Sequence, residues 1–83
     1  MTGAPHDLTF SLSYPDEDRA RTVERSLSPE VDALGDDRSS ATLSREGATV
    51  RISLAAADLV ALRAASNTWA SLATVAGRVS GSA

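Results

Sequence analysis

The sequence contains no cysteine and no lysine, and only three of its 83 residues are aromatic. Without cysteine, disulfides and thiolate metal sites are excluded. No stretch is long and apolar enough to span a membrane, because serine, asparagine and threonine interrupt the longest uncharged segment. The first residues also lack the basic segment and apolar core of a signal peptide. We therefore expect a cytoplasmic protein.

The apolar residues that are present are small, since fifteen of them are alanine. One domain of this length with three aromatic residues has a thin core and is marginal alone, and association is the usual remedy. The formal net charge of −3 does not favour nucleic-acid binding, which generally needs a basic face. The excess of arginine, alanine, serine and aspartate suggests a GC-rich genome, and we expect an archaeal, salt-adapted source.

Hydrophobic periodicity predicts five elements after a flexible N-terminal tail at residues 1–7. Residues 8–83 then form a single domain. Alternating apolar and polar residues predict strands at residues 8–14, 40–45 and 49–54, the last two joined as a hairpin around Glu46-Gly47. A helix begins at Asp16 and is predicted to end at Ser28-Pro29, because the residue before a proline disfavours helical geometry. The longest helix is predicted at residues 58–79.

This order predicts an α+β fold, a three-stranded antiparallel sheet with two helices on one face, in the order β-α-β-β-α. A right-handed crossover between the first two strands leaves space for the third strand between them. The first two strands are then the sheet edges, and they carry almost no charge. Unprotected edges invite pairing with another chain. We therefore expect a homodimer formed by strand-edge pairing.

The last helix has an apolar stripe and an uncharged outer face. Its core-facing stripe is predicted to contain Leu59, Leu62, Ala65, Trp69, Leu72, Ala73, Ala76 and Val79. Solvated helix faces usually carry charge, but no charged residue occurs between Ala64 and Gly77. A partner is therefore expected to cover the outer face. The candidate partner-binding residues are Val60, Arg63, Asn67, Ser71, Thr74, Val75 and Arg78.

No constellation of catalytic or metal-binding residues is apparent. The one histidine, His6, has no neighbouring ligand in the sequence. The acidic run at residues 16–18 suits the positive end of a helix and needs no ion. Asp36 and Asp37 lack a nearby base or nucleophile. We expect no enzymatic activity, no cofactor and no metal.

Several of these segments together resemble one protein family. They are Ala20 with SLSPE at residues 26–30, Asp58-Leu59, Leu62-Arg63-Ala64, Asn67, and Trp69 as the bulky residue that follows. In their order and spacing they resemble the small dimerising subunit of the KEOPS complex, over nearly the whole chain after residue 7. The alanine-rich, uncharged end of the last helix departs from the family pattern.

The resemblance implies a non-catalytic function. KEOPS installs threonylcarbamoyl on the adenosine beside the anticodon in tRNAs that read codons beginning with A. In the family this subunit forms a homodimer with a continuous six-stranded sheet, and its helices pack against the threonylcarbamoyl-transferase subunit. One dimer can thereby bridge two catalytic subunits, and it contributes to tRNA binding. The implied partners are a second copy, the transferase subunit, and tRNA through the complex, with no membrane.

Two other functions remain open from the residues alone. A stand-alone RNA-binding α+β module is one, although the acidic balance and the lack of aromatic residues on the sheet count against it. A small enzyme or ligand-binding domain is the other, and the lack of convergent polar groups counts against that. A pull-down from native cytosol that recovers a large tRNA-modification subunit, RNA alone, or neither would separate the three.

Overall fold

A computed structural model describes the backbone of residues 6–35 and 37–81, and side chains as far as Gly77. The elements are β1 (His6–Ser13), α1 (Glu17–Ala33), β2 (Ser39–Glu46), β3 (Thr49–Ala56) and α2 (Leu59–Gly81). Their number, type and order confirm the prediction. Each strand differs from its predicted bounds by one or two residues at one or both ends. Residues 1–5 of the predicted tail, and Asp36, lie outside the described part.

The sheet has the strand order β1-β3-β2, with β3 antiparallel to both neighbours. The most apolar strand therefore lies in the centre, as predicted. Phe10 of β1 and Leu43 of β2 both align with Ile52 of β3. Gly47 turns the chain between β2 and β3 with a φ of 61°. Residues with a side chain rarely adopt that conformation, so glycine suits this turn.

The core lies between one face of the sheet and the two helices. Trp69 from α2 and Val23 and Leu27 from α1 meet Val50 and Ile52 of β3, and all five are almost fully buried. Val31 and Leu34 also pack against this cluster. The other face of the sheet has alternating exposed polar residues. The fold is thus two layers, with helices on one face only.

Aspartates begin both helices. The Asp16 carboxylate accepts a 2.8 Å hydrogen bond from the backbone N–H of Arg19. The Asp58 carboxylate accepts one of the same length from the backbone N–H of Ala61. Each carboxylate satisfies an otherwise unpaired donor at the positive end of a helix. The acidic residues predicted to begin these helices therefore do so.

The predicted end of α1 at Ser28-Pro29 is wrong. The helix continues through Pro29 to Ala33, and the backbone N–H of Leu34 still donates to the carbonyl of Glu30 at 2.9 Å. Proline removes one backbone hydrogen bond from the helix interior. The continued turn places Val31 and Leu34 against the core, and the burial of these apolar side chains offsets that loss.

Leu59, which was predicted to face the core, is exposed, and so is Leu8 on the apolar side of β1. Leu59 is 59% exposed and Leu8 is 38% exposed. Leu59 lies in the first turn of α2, at the border of the apolar stripe rather than at its centre. Leu8 lies near the start of an edge strand, which has a neighbouring strand on one side only. Both therefore remain accessible at the same end of the sheet.

Candidate interaction surfaces

The outer face of α2 contains the predicted partner-binding residues. Val60 is 76% exposed and Val75 is 56% exposed, while Trp69 on the opposite side of the helix is 2% exposed. Arg63, Asn67, Ser71 and Thr74 lie between the two valines and are also exposed. The helix brings these six residues onto one strip about 22 Å long. The side chain of the seventh, Arg78, lies outside the described side chains.

Two hydroxyl groups of α2 form hydrogen bonds within the helix. Thr74 Oγ1 donates to the carbonyl of Ala70 at 2.9 Å, and Ser66 Oγ donates to the carbonyl of Leu62 at 2.8 Å. Such bonds to the preceding turn leave the hydroxyl with little need for water. Covering this face therefore costs less desolvation energy than covering a charged helix surface.

A first groove of about 330 Å³ lies between the first half of α2 and the connection from α1 to β2. An ion pair between Arg38 and Asp58 lies beside it. Its lining is mostly apolar and small, and includes Leu34, Ala41, Val60, Ala61, Ala64, Ala65, Thr68 and Trp69. Sequence reasoning did not predict this groove, because its walls come from segments far apart in the chain.

A second groove of about 360 Å³ lies between the later half of α2 and the edge strand β1. Its lining consists of Phe10, Leu12, Tyr14, Trp69, Ala70, Ala73, Thr74 and Gly77. None of these residues is charged at neutral pH. Partial burial here raises the pKa of the Tyr14 hydroxyl, because desolvation disfavours the phenolate. We call this cavity the β1 groove.

The two sheet edges differ in their protection. Arg45 of β2 points toward α1, donates to Glu24 at 2.9 Å and lies 3.5 Å from Glu17. The pKa of Arg45 is raised above its ordinary value, mainly because of the hydrogen bond with Glu24. These charges connect α1 to the β2 edge. The β1 edge has no ionisable residue between Leu8 and Ser13.

The open face of the sheet carries hydroxyl groups. Thr9 and Ser53 form a 3.2 Å hydrogen bond across β1 and β3, and Arg51 forms an ion pair with Glu46 at 3.0 Å. The exposed hydroxyl residues include Thr9, Ser11, Ser13, Thr42 and Ser44. The three aromatic side chains lie elsewhere: Trp69 is in the core, and Phe10 and Tyr14 pack against it. This face therefore offers no aromatic platform for stacking bases.

Within residues 6–35 and 37–81, no three histidine, cysteine or carboxylate side chains come close enough to hold a metal ion. The carboxylates at residues 16–18 have local partners. Asp16 caps α1 and Asp18 pairs with Arg21 at 3.0 Å. Glu17 pairs more loosely with Arg21, at 4.0 Å. In the described part of the chain, no helix combines the length and apolarity needed to cross a bilayer.

Comparison with known proteins identifies the family of this chain. A family model described as "Transcription factor Pcc1" matches residues 7–80. No curated protein matches the sequence. Among solved structures, a chain in the "Crystal structure of binary complex Gon7-Pcc1" superposes with a TM-score of 0.68. The two chains are 18% identical, and the match covers 94% of this chain and 90% of the other, which shows a shared fold. The match over residues 7–80 is decisive: this chain belongs to the Pcc1 family of accessory KEOPS subunits.

Proposed function

We propose that this chain is a non-catalytic, dimerising scaffold subunit of the KEOPS complex. It supports threonylcarbamoylation of the adenosine beside the anticodon in tRNA by binding the catalytic transferase subunit. As a homodimer it bridges two such subunits. It contacts tRNA through the assembled complex, and it works in the cytoplasm. Family membership supports the place in the complex, and the surface of the molecule supports the scaffold function.

The observation that carries this proposal is the outer face of α2. A helix face that is solvated in the working protein usually carries charged residues. Here Val60 and Val75 are more than half exposed, and no charged residue lies between Arg63 and the end of the described side chains. Small residues such as Ser71 let another helix approach closely, because packed helices lie about 8–10 Å apart. The face is therefore better suited to packing against a partner helix than to exposure to solvent.

A stand-alone RNA-binding function has less support. The open sheet face lacks the aromatic residues on which single-stranded bases stack. Its one arginine, Arg51, is already paired with Glu46. The net charge of −3 also repels a phosphate backbone. If the isolated chain nevertheless bound RNA in a filter-binding assay at physiological salt, this alternative would gain over the scaffold function.

The proposal is tested by substitution of Ser71 with arginine. Ser71 is exposed at the middle of the outer face, so Ser71→Arg adds a bulky charge without changing the core. A charge buried without a partner is strongly unfavourable. We expect the variant to stay folded and dimeric but to lose co-purification with the transferase subunit. Circular dichroism checks the fold, and sedimentation checks the dimer.

Thr42→Arg is the matched control, because Thr42 is also exposed but lies on the open sheet face. It should leave co-purification unchanged. The reverse result, in which Thr42→Arg abolishes docking and Ser71→Arg does not, would place the docking surface on the sheet and contradict the proposal.

A further inference from the structure

We propose that the first groove is a charge-selective anchor site for the docking partner. The groove receives one large apolar side chain of a partner helix, and carboxylates beside it pair with a lysine or arginine that flanks this side chain. The occupant is therefore a basic amphipathic helix. This inference rests on the scaffold function proposed above, and it adds the chemistry that the transferase subunit presents where it docks.

The first groove is an apolar slot with room for a large side chain. Its volume of about 330 Å³ is at the small end of the range for ligand pockets. The buried ring of Trp69 lines it, and so do the small side chains of Ala41, Ala61, Ala64 and Ala65. The binding energy of protein interfaces is concentrated in a few large side chains that fill pockets of this kind.

The last turns of α1 build one wall of the groove and carry part of its charge. The helix continues through Pro29 to Ala33, and Leu34 at its end lines the groove. The same extension carries Glu30 and Asp32, each within four residues of Leu34. Asp37 comes directly before Arg38, which also lines the groove. We call Glu30, Asp32 and Asp37 the acidic rim.

The negative charge of the chain is concentrated in the segment that borders the groove. Residues 30–38 contain four carboxylates and one arginine, which gives this segment a net charge of −3. The other seven carboxylates of the chain are balanced by the other seven arginines. The whole formal net charge of −3 therefore comes from this segment, and it attracts a positively charged partner.

The carboxylates of the acidic rim form no ion pair with any described side chain. Elsewhere, six carboxylates lie within 4.0 Å of an arginine: Asp16, Glu17, Asp18, Glu24, Glu46 and Asp58. Arg38, the one cation of the segment, is paired with Asp58 outside it. An incoming lysine or arginine can therefore pair with the acidic rim without breaking an existing ion pair.

The groove is continuous with the outer face of α2. Val60 belongs to both surfaces and is 76% exposed. Ala64 and Thr68, one and two turns further along α2, also line the groove and are exposed. A helix that packs along the outer face therefore passes the mouth of the groove, where it can insert a side chain.

A basic helix suits this site better than the other possible occupants. The phosphates of RNA and the side chains of an acidic peptide would be repelled by the acidic rim. A second copy that bound here symmetrically would bring the same acidic segment against the first. The combination of an apolar slot and unpaired carboxylates therefore selects an apolar side chain with a cation beside it.

Two variants at one position test the groove. Ala64 is exposed and lines the groove, so Ala64→Phe fills it without adding charge, whereas Ala64→Ser leaves it open. Ala64→Phe should weaken binding of the transferase subunit by about 10-fold or more, and Ala64→Ser should bind like wild type. Isothermal titration measures the affinity. A folded, dimeric Ala64→Phe protein that binds as tightly as Ala64→Ser would overturn the anchor site.

Removal of charge tests the acidic rim. Asp32 and Asp37 are exposed, so Asp32→Asn combined with Asp37→Asn should leave the fold intact. The double variant should bind the transferase subunit about 3-fold to 10-fold more weakly at low salt, and added salt should weaken its binding less than that of wild type. Asp7→Asn is the control, because Asp7 is also exposed and without an ion pair among the described side chains, but lies on β1.

The same affinity and salt dependence in the double variant and in Asp7→Asn would overturn the selection of a basic partner. These results are separable from those for the scaffold function. If Ser71→Arg abolishes docking while the Ala64 and rim variants bind like wild type, the scaffold function holds and this inference is wrong. A wild-type chain that does not bind the transferase subunit would overturn both.

Discussion

At the scale of single residues, helical periodicity predicted most of α2 correctly. It placed Trp69 in the core and Val60 and Val75 outside, and the structure confirms all three. It placed Leu59 in the core as well, which is wrong. Periodicity assigns a residue to a direction around the helix, but it does not say where along the helix the packed layer begins. Leu59 lies in the first turn of α2, at the border of the apolar stripe, and is 59% exposed.

The first residue-scale prediction concerns Trp69. Its side chain is buried at the junction of α2 with β3 and both grooves. Trp69→Ala should lower the free energy of unfolding by about 3–5 kcal/mol, because it removes apolar contacts and leaves a cavity. That loss is comparable with the whole stability of a small domain. Urea denaturation measures it.

Val75→Ala is the control for Trp69→Ala, since Val75 lies on the same helix but is exposed. It should change the free energy of unfolding by less than about 0.5 kcal/mol. If the two variants unfold at the same urea concentration, Trp69 is not a core residue.

The second residue-scale prediction concerns the Tyr14 hydroxyl at alkaline pH. Burial raises the pKa of Tyr14 above its ordinary value, so the folded protein holds this proton more tightly than the unfolded chain. The associated stability is complete below the unfolded pKa and is lost as the pH rises through the folded pKa. Lysine and cysteine are absent and tyrosine occurs once, so few other groups titrate there.

The wild-type free energy of unfolding should therefore fall between pH 9 and pH 11 by more than that of Tyr14→Phe, since the unfolded tyrosine ionises near pH 10. Urea denaturation at the two pH values gives the comparison. Equal losses in the two proteins would mean that Tyr14 is solvated like a free tyrosine.

At the scale of elements, the order of strands and helices followed from pattern, and so did the central position of β3. The end of α1 did not. Local chemistry favours a stop before Pro29, but two apolar residues beyond it, Val31 and Leu34, pack against the core. The loss of one hydrogen bond is smaller than the gain from burying two side chains. Only tertiary contacts reveal that balance.

The element-scale prediction concerns Pro29 itself. It is exposed and lies inside α1, where its ring removes a backbone hydrogen bond. Pro29→Ala should raise the free energy of unfolding by about 1–3 kcal/mol, because alanine restores the bond and favours the helix. Ser28→Ala, at the exposed neighbour, should have a much smaller effect. No gain from Pro29→Ala in urea denaturation would mean that the helix ends before it.

At the scale of the whole molecule, the sequence predicted association with a partner. It did not predict the shape of the surface that a partner would contact. The thin alanine-rich core, the uncharged helix face and the unguarded edges all pointed to association. The two grooves flanking α2 were not predictable, because they depend on how far that helix reaches over the sheet. A structure was also needed to distinguish the β1 edge from the β2 edge, since the pairing of Arg45 with α1 is a long-range contact.

The most direct test of the scaffold function is the mass of the complex reconstituted from this chain and the transferase subunit of the same organism. A dimer whose two α2 helices each dock one catalytic subunit predicts an assembly of two copies of each chain. Sedimentation or native mass spectrometry at micromolar concentration gives the stoichiometry. An assembly with two copies of each chain is the expected result. A complex with one copy of each chain, or no complex at all, would contradict the proposed scaffold function.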